Sequence, residues 1–208
     1  MGLRSSPFLG YCHLVTIQQT LTVLSAMCLW GGAAVYIFAP VTRLNPVPWI
    51  VWAMASFVAA VNTWAQEGHS GQSFVYATTG VFFLAVVLRR HRALGWEGLP
   101  VWQRWALPLL LMSPLVTFWA SPLAGMSFQV LFAWATAASF MQTAASGYSR
   151  DPLSAWWVEL LGCLLLLAAN QMETWSWLLP LNSAAVSAAC LGSVYVGRSL
   201  SSPPPSSG

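Results

Sequence analysis

The chain has 208 residues, of which 57% are hydrophobic and only 6% are charged, with a formal net charge of +3. A soluble domain typically carries about 25% charged residues, and so few ionisable side chains cannot cover a water-facing surface. The composition excludes an ordinary soluble protein and predicts an integral membrane protein, whose solvent is lipid. All eight basic residues are arginines, so chemistry that needs a lysine amine, such as a retinal Schiff base, is also excluded.

Seven mostly apolar runs follow one another along the chain, each close to the roughly 20 residues that cross a bilayer. They are predicted at 17–39, 46–66, 72–90, 103–120, 123–145, 152–171 and 177–197. Asn45-Pro46, Ser121-Pro122 and Asp151-Pro152 mark three of the breaks, because proline suits the first turn of a helix. We predict an all-α membrane protein of seven transmembrane helices, with an extracytoplasmic segment at 1–16 and a disordered tail at 199–208.

The arginines predict the orientation of these helices. With the N-terminus outside, only Arg4 falls on the outer side, and an excess of arginine is typical of cytoplasmic loops. The arginines on the inner side are Arg43, Arg89, Arg90, Arg92, Arg104, Arg150 and Arg198. We therefore place the C-terminus in the cytoplasm and the protein in a bacterial inner membrane. Tryptophans near inner helix ends, among them Trp49, Trp52 and Trp156, are interpreted as an aromatic belt at headgroup depth.

The first three and the last three runs share a pattern of residues. The pairs are Trp30 and Trp134, 104 residues apart, Pro46 and Pro152, 106 apart, then Trp49 and Trp157, Asn62 and Asn170, and Arg90 and Arg198, each 108 apart. Five ordered matches, whose offset grows in two steps of two residues, favour a repeated unit over chance. The run at 103–120 would link the repeats, 17–92 and 123–198, and give both the same orientation in the membrane.

The sequence Asn45-Pro46-Val47-Pro48-Trp49-Ile50-Val51-Trp52 resembles the N-P-x-x-W-x-x-W opening of helix two in bacterial membrane proteins related to the PQ-loop superfamily, which includes the SWEET sugar transporters. The three-plus-one-plus-three arrangement is similar to that family over 17–198. The Pro-Gln dipeptide that names the family is missing; Met141-Gln142 keeps the glutamine and Phe38-Ala39-Pro40 a proline. The resemblance implies transport of a small polar solute, such as a sugar or small metabolite, by alternating access.

Polar side chains inside hydrocarbon are costly, so each is a candidate for function. Glu159, in the sixth run, could bind a proton or a cationic or hydroxyl-bearing substrate, or it could be a protonated side chain bonded to a neighbouring helix. Asn182 resembles, in helix and residue type, the asparagine that contacts substrate in the SWEET family. Asn62 and Asn170, near outer helix ends, are interpreted either as lining a vestibule or as bonding between helices.

Two tryptophans near the middle of their runs complete the aromatic candidates. Trp30 and Trp134 could stack on a sugar ring, or they could be ordinary packing residues. Gln142 completes the tentative substrate-binding set, beside the interior Gln129, Thr78 and Thr79, and all of these could equally bond between helices.

The chain lacks the patterns of several function classes. Its three histidines fall at helix ends or in loops, and no nucleophile lies near a base, so we predict neither an enzyme nor a cofactor or metal site. The predicted partners are the lipid bilayer and a small-molecule solute, with a homo-oligomer or a membrane complex left open and nucleic acid unsupported. The leading hypothesis is a transporter, and the alternative is a non-transporting structural or accessory subunit of a membrane complex.

Overall fold

The computed structural model describes residues 7–39, 46–67, 70–89, 112–113, 115–145, 151–170 and 175–201. This part of the chain is helical, which confirms the all-α class. Its helices are α1 (Pro7–Phe38), α2 (Pro46–Glu67), α3 (Gly71–Arg89), α4 (115–119), α5 (Pro122–Ala145), α6 (Leu153–Ala169) and α7 (Leu178–Ser201). A short 3-10 turn, Trp175–Trp177, leads into α7.

Several helix ends fall where the sequence places them. Helices α2 and α5 begin with the predicted prolines, and α6 follows Pro152 directly. The Ser121 hydroxyl accepts a hydrogen bond from the Ala124 amide at 3.1 Å, and the Ser70 hydroxyl accepts one from the Ser73 amide at 3.2 Å. Both serines satisfy amides that the first helical turn leaves unpaired, which explains why α5 and α3 start there.

Two predicted boundaries differ from the structure. Helix α1 begins at Pro7, ten residues before the predicted span at 17, inside the predicted extracytoplasmic segment. Helix α7 continues to Ser201, so the predicted disorder is wrong for 199–201. The Arg198 guanidinium donates to the Asp151 carbonyl oxygen at 2.8 Å and holds this last turn. The segments 1–6 and 202–208 and most of the predicted run 103–120 lie outside the described residues.

Four helices in the described part of the chain are long and apolar enough to cross a membrane: Ile17–Phe38, Gly71–Arg89, Pro122–Gln142 and Trp175–Leu200. The apolar helix Leu153–Ala169 is shorter, at 17 residues. Helix α2 has 22 residues, or about 33 Å at 1.5 Å per residue, but carries polar side chains toward its end. The structure therefore supports a membrane protein at the level of length and composition.

The main helix contacts form a ring. Helix α3 packs against both α1 and α2, and α7 packs against both α5 and α6. Contacts between α1 and α6 and between α2 and α5 close the ring in the order α1, α3, α2, α5, α7, α6. The contacts repeat within the ring when α1, α2 and α3 are exchanged with α5, α6 and α7. The contacts α1–α3, α2–α3 and α1–α6 then correspond to α5–α7, α6–α7 and α5–α2.

Helices α1 and α6 approach closely through glycines. A Cβ added at Gly32 would lie 3.1 Å from the Ala155 carbonyl oxygen, and one added at Gly162 would lie 2.9 Å from Leu29 Cγ. The Ser25 hydroxyl donates to the Gly162 carbonyl oxygen at 2.8 Å across the same contact. Small residues and an interhelical hydrogen bond are the usual means by which helices associate in lipid, where the hydrophobic effect does not drive them together.

An aromatic cluster fills the bundle at its basic end, the end where Arg89 and Arg198 lie. Its members are Tyr36, Trp49, Trp52, Phe83, Phe140 and Trp156. The Tyr36 and Trp49 ring centroids are 4.4 Å apart, and those of Trp52 and Trp156 are 5.6 Å apart, both in edge-to-face geometry. The predicted aromatic belt is therefore wrong for Trp49, Trp52 and Trp156, which are buried against neighbouring helices. Trp157 is 52% exposed, so Trp156 is the residue whose burial matches that of Trp49.

The α1–α6 contact yields a stability prediction. In Gly162→Ala the new methyl group meets Leu29 Cγ at 2.9 Å and Cys28 Cβ at 3.1 Å, so these side chains or the helix that carries them must shift. We expect the free energy of unfolding to fall by about 1–3 kcal/mol, which is measured as a lower melting temperature in detergent. Gly192→Ala is the matched control, because nothing lies within 4 Å of its Cβ position and its melting temperature should not fall. Equal melting of the two variants would contradict the close contact.

Candidate functional site

A cavity of about 80 Å³ lies in the middle of the helix ring. It is lined from α2 by Trp52, Ala55, Ser56 and Ala59, from α3 by Tyr76 and Phe83, from α5 by Gln129 and Ala133, from α6 by Trp156 and Glu159, and from α7 by Leu179, Asn182, Ser183, Val186 and Ser187. On each helix these residues recur at intervals of three, four or seven positions, with adjacent pairs on α2 and α7, which is the pattern of one helical face. We call this space the central cavity.

The central cavity brings together the two leading residues of the sequence prediction, Glu159 and Asn182. Among the acidic residues that the structure describes, Glu67 ends α2 and Asp151 precedes α6, whereas Glu159 lies within a helix. Glu159 is partly buried and makes no hydrogen bond or ion pair with any described residue. A carboxyl group in this position needs a proton or a cation from elsewhere, because a lone charge in an apolar interior is very costly.

Three further polar atoms around the cavity lack a partner. Trp52 Nε1, Trp156 Nε1 and the Tyr76 hydroxyl are buried, and none has a hydrogen-bond partner within the described part of the chain. A buried polar atom without a hydrogen bond costs about 1–3 kcal/mol. These three atoms have almost no accessible surface, so they lie behind the cavity wall and do not face its interior.

Members of the aromatic cluster line the central cavity on the side of the basic end. Trp52, Phe83 and Trp156 belong both to the cavity wall and to the cluster. Beyond them the buried Asp151 accepts a hydrogen bond from the Tyr36 hydroxyl at 3.2 Å, and its carbonyl oxygen accepts the bond from Arg198. These bonds join α1 and α7 to the segment that starts α6.

A set of polar side chains joins the helices at the end of the bundle opposite the basic end. Asn170 donates from Nδ2 to Gln72 Oε1 at 2.9 Å and to the Ser176 hydroxyl at 3.1 Å. Gln72 donates from Nε2 to the Ser176 carbonyl oxygen at 3.3 Å, and the Ser176 hydroxyl donates to the Glu67 carboxylate. We call these four residues the polar clasp. The predicted site residue Asn170 thus joins helices at this end and does not line the central cavity.

Asn62 is also a joining residue. It is fully buried and donates from Nδ2 to Ser113 Oγ and to Gln129 Oε1, both at 3.1 Å, while it accepts a bond from the Thr117 hydroxyl at 2.9 Å. Gln129 in turn donates to the Ala55 carbonyl oxygen at 2.9 Å. Asn62 therefore fixes α4 and α5 to α2, and of the two interpretations of its role the interhelical bond fits the structure.

The remaining predicted site residues lie away from the central cavity. Trp30 stacks on Phe82 with ring centroids 5.6 Å apart and donates from Nε1 to the Thr78 hydroxyl at 3.1 Å. Trp134 is 38% exposed on α5, and Gln142 is also exposed. Neither pairs across the cavity, so packing and surface positions account for these three residues.

Sequence reasoning missed several cavity residues. It assigned Trp52 and Trp156 to the membrane surface and gave no role to Tyr76 or Ser183. A usable signal was present, because Trp156 precedes Glu159 by three residues, and Ser183 and Ser187 share the face of α7 that carries Asn182. Placing each candidate on its helical face would have recovered most of the wall.

Comparison with protein-family models, with curated proteins and with solved structures finds no match to this chain. The geometry of the central cavity is therefore the basis on which we propose a function.

Replacing Asn62 should lower the stability of the protein, whereas replacing Asn182 should not. Asn62→Ala removes the buried hydrogen bonds that Asn62 makes with Ser113, Thr117 and Gln129, and we expect a loss of about 1–3 kcal/mol. Asn182→Ala removes no bond to a described residue, so its stability should match that of the parent protein. Thermal unfolding of both variants in the same detergent measures the difference. If Asn182→Ala were the less stable variant, the assignment of the two roles would be reversed.

Proposed function

We propose that this protein is a seven-span membrane transporter, similar in architecture to the PQ-loop and SWEET proteins, that moves a small polar solute by alternating access. The solute site is the central cavity, with Glu159 and Asn182 as its main polar groups. The observation that carries the proposal is that these two side chains, one from α6 and one from α7, line the same cavity between the helices.

The ring of helix contacts supports two three-helix units. In the first unit α3 lies between α1 and α2, and in the second α7 lies between α5 and α6. The α1–α6 contact then corresponds to the α5–α2 contact, as a two-fold axis along the membrane normal requires. In this arrangement α4 belongs to the linker span, and the central cavity lies between the two units. A site at such an interface can be exposed to each side in turn when the units rock against each other.

Contacts at the two ends of the bundle support the same proposal. The aromatic cluster packs the helices together at the basic end, and the polar clasp joins them at the opposite end. The clasp joins α3 to α6 and α2 to the turn before α7, so each of these bonds crosses between the units. Opening one end while the other stays closed needs only the rupture of a few such contacts.

A flux experiment tests the proposed transport. Purified protein in liposomes is offered labelled sugars, polyols, amines and amino acids, and uptake is compared with protein-free liposomes. We expect uptake of at least one solute, and Glu159→Gln should lower the rate about tenfold or more because it removes the cavity carboxyl. Gly192→Ala is the control and should keep the parent rate, since its side chain faces open space.

The absence of flux for every solute with a correctly folded protein would contradict transport. The accessory-subunit alternative then predicts a stable larger assembly when the protein is extracted from its native membrane in mild detergent. A monodisperse species together with measurable flux would count against that alternative.

The seven-span topology is tested by reporter fusions. Alkaline phosphatase is active only outside the cytoplasm, so a fusion after residue 92 should be inactive and a fusion after residue 172 should be active. The prediction follows from the arginine distribution, which places the end of the third span inside and the end of the sixth outside. Equal activity of the two fusions would exclude a pair of parallel three-helix units.

A further inference from the structure

The position of Glu159 bears on how solute movement is driven, on the condition that the proposed function holds. Glu159 is the seventh of the 17 residues of α6, so it lies near the middle of that helix. The cavity wall that the structure describes holds this one carboxyl group and no arginine. The charge of Glu159 is therefore a problem that each passage of a solute through the cavity has to solve.

No described residue neutralises a Glu159 carboxylate. Its side chain makes no hydrogen bond or ion pair with a described residue. The described arginines, Arg89 and Arg198, lie in the last turns of α3 and α7, and Arg198 donates there to the Asp151 carbonyl oxygen. A lone charge in an apolar interior is so costly that such a group takes up a proton instead.

The titratable groups that surround Glu159 cannot offset its charge either. They are Tyr36 on α1, Tyr76 on α3, Cys163 on α6 and Cys190 on α7. Asp151, ahead of α6, is a further acid, and the wall residues of α2 and α5 carry no titratable group. Phenols and thiols are uncharged at neutral pH and become negative when they ionise. The counter-charge therefore enters from outside the protein.

The other polar groups of the wall suit a neutral solute. Ser56 on α2 and Asn182 and Ser183 on α7 line the cavity, and none of them makes a hydrogen bond to a described residue. Hydroxyl and amide groups both donate and accept, and a protonated carboxyl group does the same. A neutral solute beside a protonated Glu159 thus leaves no net charge in the cavity.

The packing of Glu159 makes the proton and the solute share one space. A Cβ added at Gly32 would lie 3.4 Å from Glu159 Cβ and 3.6 Å from the Glu159 nitrogen, so α1 covers this turn of α6. The central cavity, in contrast, is open on part of its boundary. A proton therefore reaches the carboxyl group through the space that the solute occupies, and the two binding events are linked.

A proton fits this site better than a sodium ion does. Coupling ions in many transporters are held by backbone carbonyls of unwound helices. Helices α1, α6 and α7 are continuous, so their interior carbonyls are engaged in helical hydrogen bonds. Within the described part of the chain, no three or more His, Cys, Asp and Glu side chains form a group that could hold a metal ion.

We propose that Glu159 is the proton-binding site of a proton-coupled transporter, which moves a proton and a neutral polar solute in the same direction. On the more acidic side the carboxylate takes a proton from water and forms an O–H bond. On the other side that bond breaks and the proton returns to water. The loaded cavity is neutral, so it can be enclosed by the helices without burying a charge.

The protonation of Glu159 is tested on the purified full chain without any solute. Infrared spectroscopy separates the carbonyl stretch of a protonated carboxyl group from that of a carboxylate. At about pH 7 the parent protein should show one protonated carboxyl group more than Glu159→Gln. Glu67→Gln is the matched control and should equal the parent, because Glu67 is exposed at the end of α2. Identical spectra of the parent and Glu159→Gln would overturn the proposal.

The coupling is tested in liposomes that are one pH unit more acidic outside than inside, with the membrane potential clamped. The neutral sugars and polyols of the flux panel are offered, and their steady-state accumulation is compared with that at equal pH. One pH unit should raise accumulation by up to about tenfold. The gradient should have no effect on Glu159→Gln, which cannot release a proton. Glu159→Asp, which keeps a carboxyl group, and Gly192→Ala should both respond to it.

The outcomes separate this proposal from transport itself. If a neutral solute enters equally with and without the pH difference, the coupling is overturned and transport stands. Uptake that follows a sodium gradient, or uptake of amines alone, would likewise overturn the proton and leave transport in place. If no solute enters liposomes that contain folded protein, both proposals fail.

Discussion

The close approach of α1 to α6 is the contact on which the interior of this protein depends. Gly32 and Gly162 let the two backbones meet, and Gly32 lies against the turn of α6 that carries Glu159, with its added Cβ only 3.4 Å from Glu159 Cβ. That contact sets the position of the acidic side chain. Helices α2, α3, α5 and α7 form the other walls of the central cavity.

Polar atoms in this bundle fall into two groups. Those of Asn62, Gln129, Asn170 and Ser176 are tied into hydrogen-bonded sets that join helices, as an apolar surrounding demands. Those of Glu159 and Asn182, which line the central cavity, make no hydrogen bond to a described residue. Since leaving a buried donor unpaired is costly, the second group is the better guide to a binding site than the mere presence of a polar residue in an apolar run.

The sequence predicted local features well and tertiary ones unevenly. Helix starts at Pro46 and Pro122 depend on the residues next to them and were correct. Glu159 and Asn182 stood out because polar groups within apolar runs are costly, and the structure places both at one cavity.

The failures share a physical cause. Whether a tryptophan faces lipid or core is decided by helices that are distant along the chain, so Trp156 was misread as a surface residue although Phe140 and Trp52 cover it. The role of Asn62 depends on Ser113 and Thr117, which are more than one span away. A pattern within one segment does not contain such partners, and this is why Asn62, Asn170 and Trp30 were grouped with the cavity residues.

The bond between Tyr36 and Asp151 has a mechanical consequence. It fastens α1 to the start of α6 by a single phenol, whereas Arg198 fastens the end of α7 to the same short segment. A rotation that separates α1 from α6 at the basic end must break the hydrogen bond between Tyr36 and Asp151, but it can leave the bond between Arg198 and Asp151 intact. Helices α6 and α7 would then move together as one rigid body, and the hinge would lie elsewhere along the contact between α1 and α6.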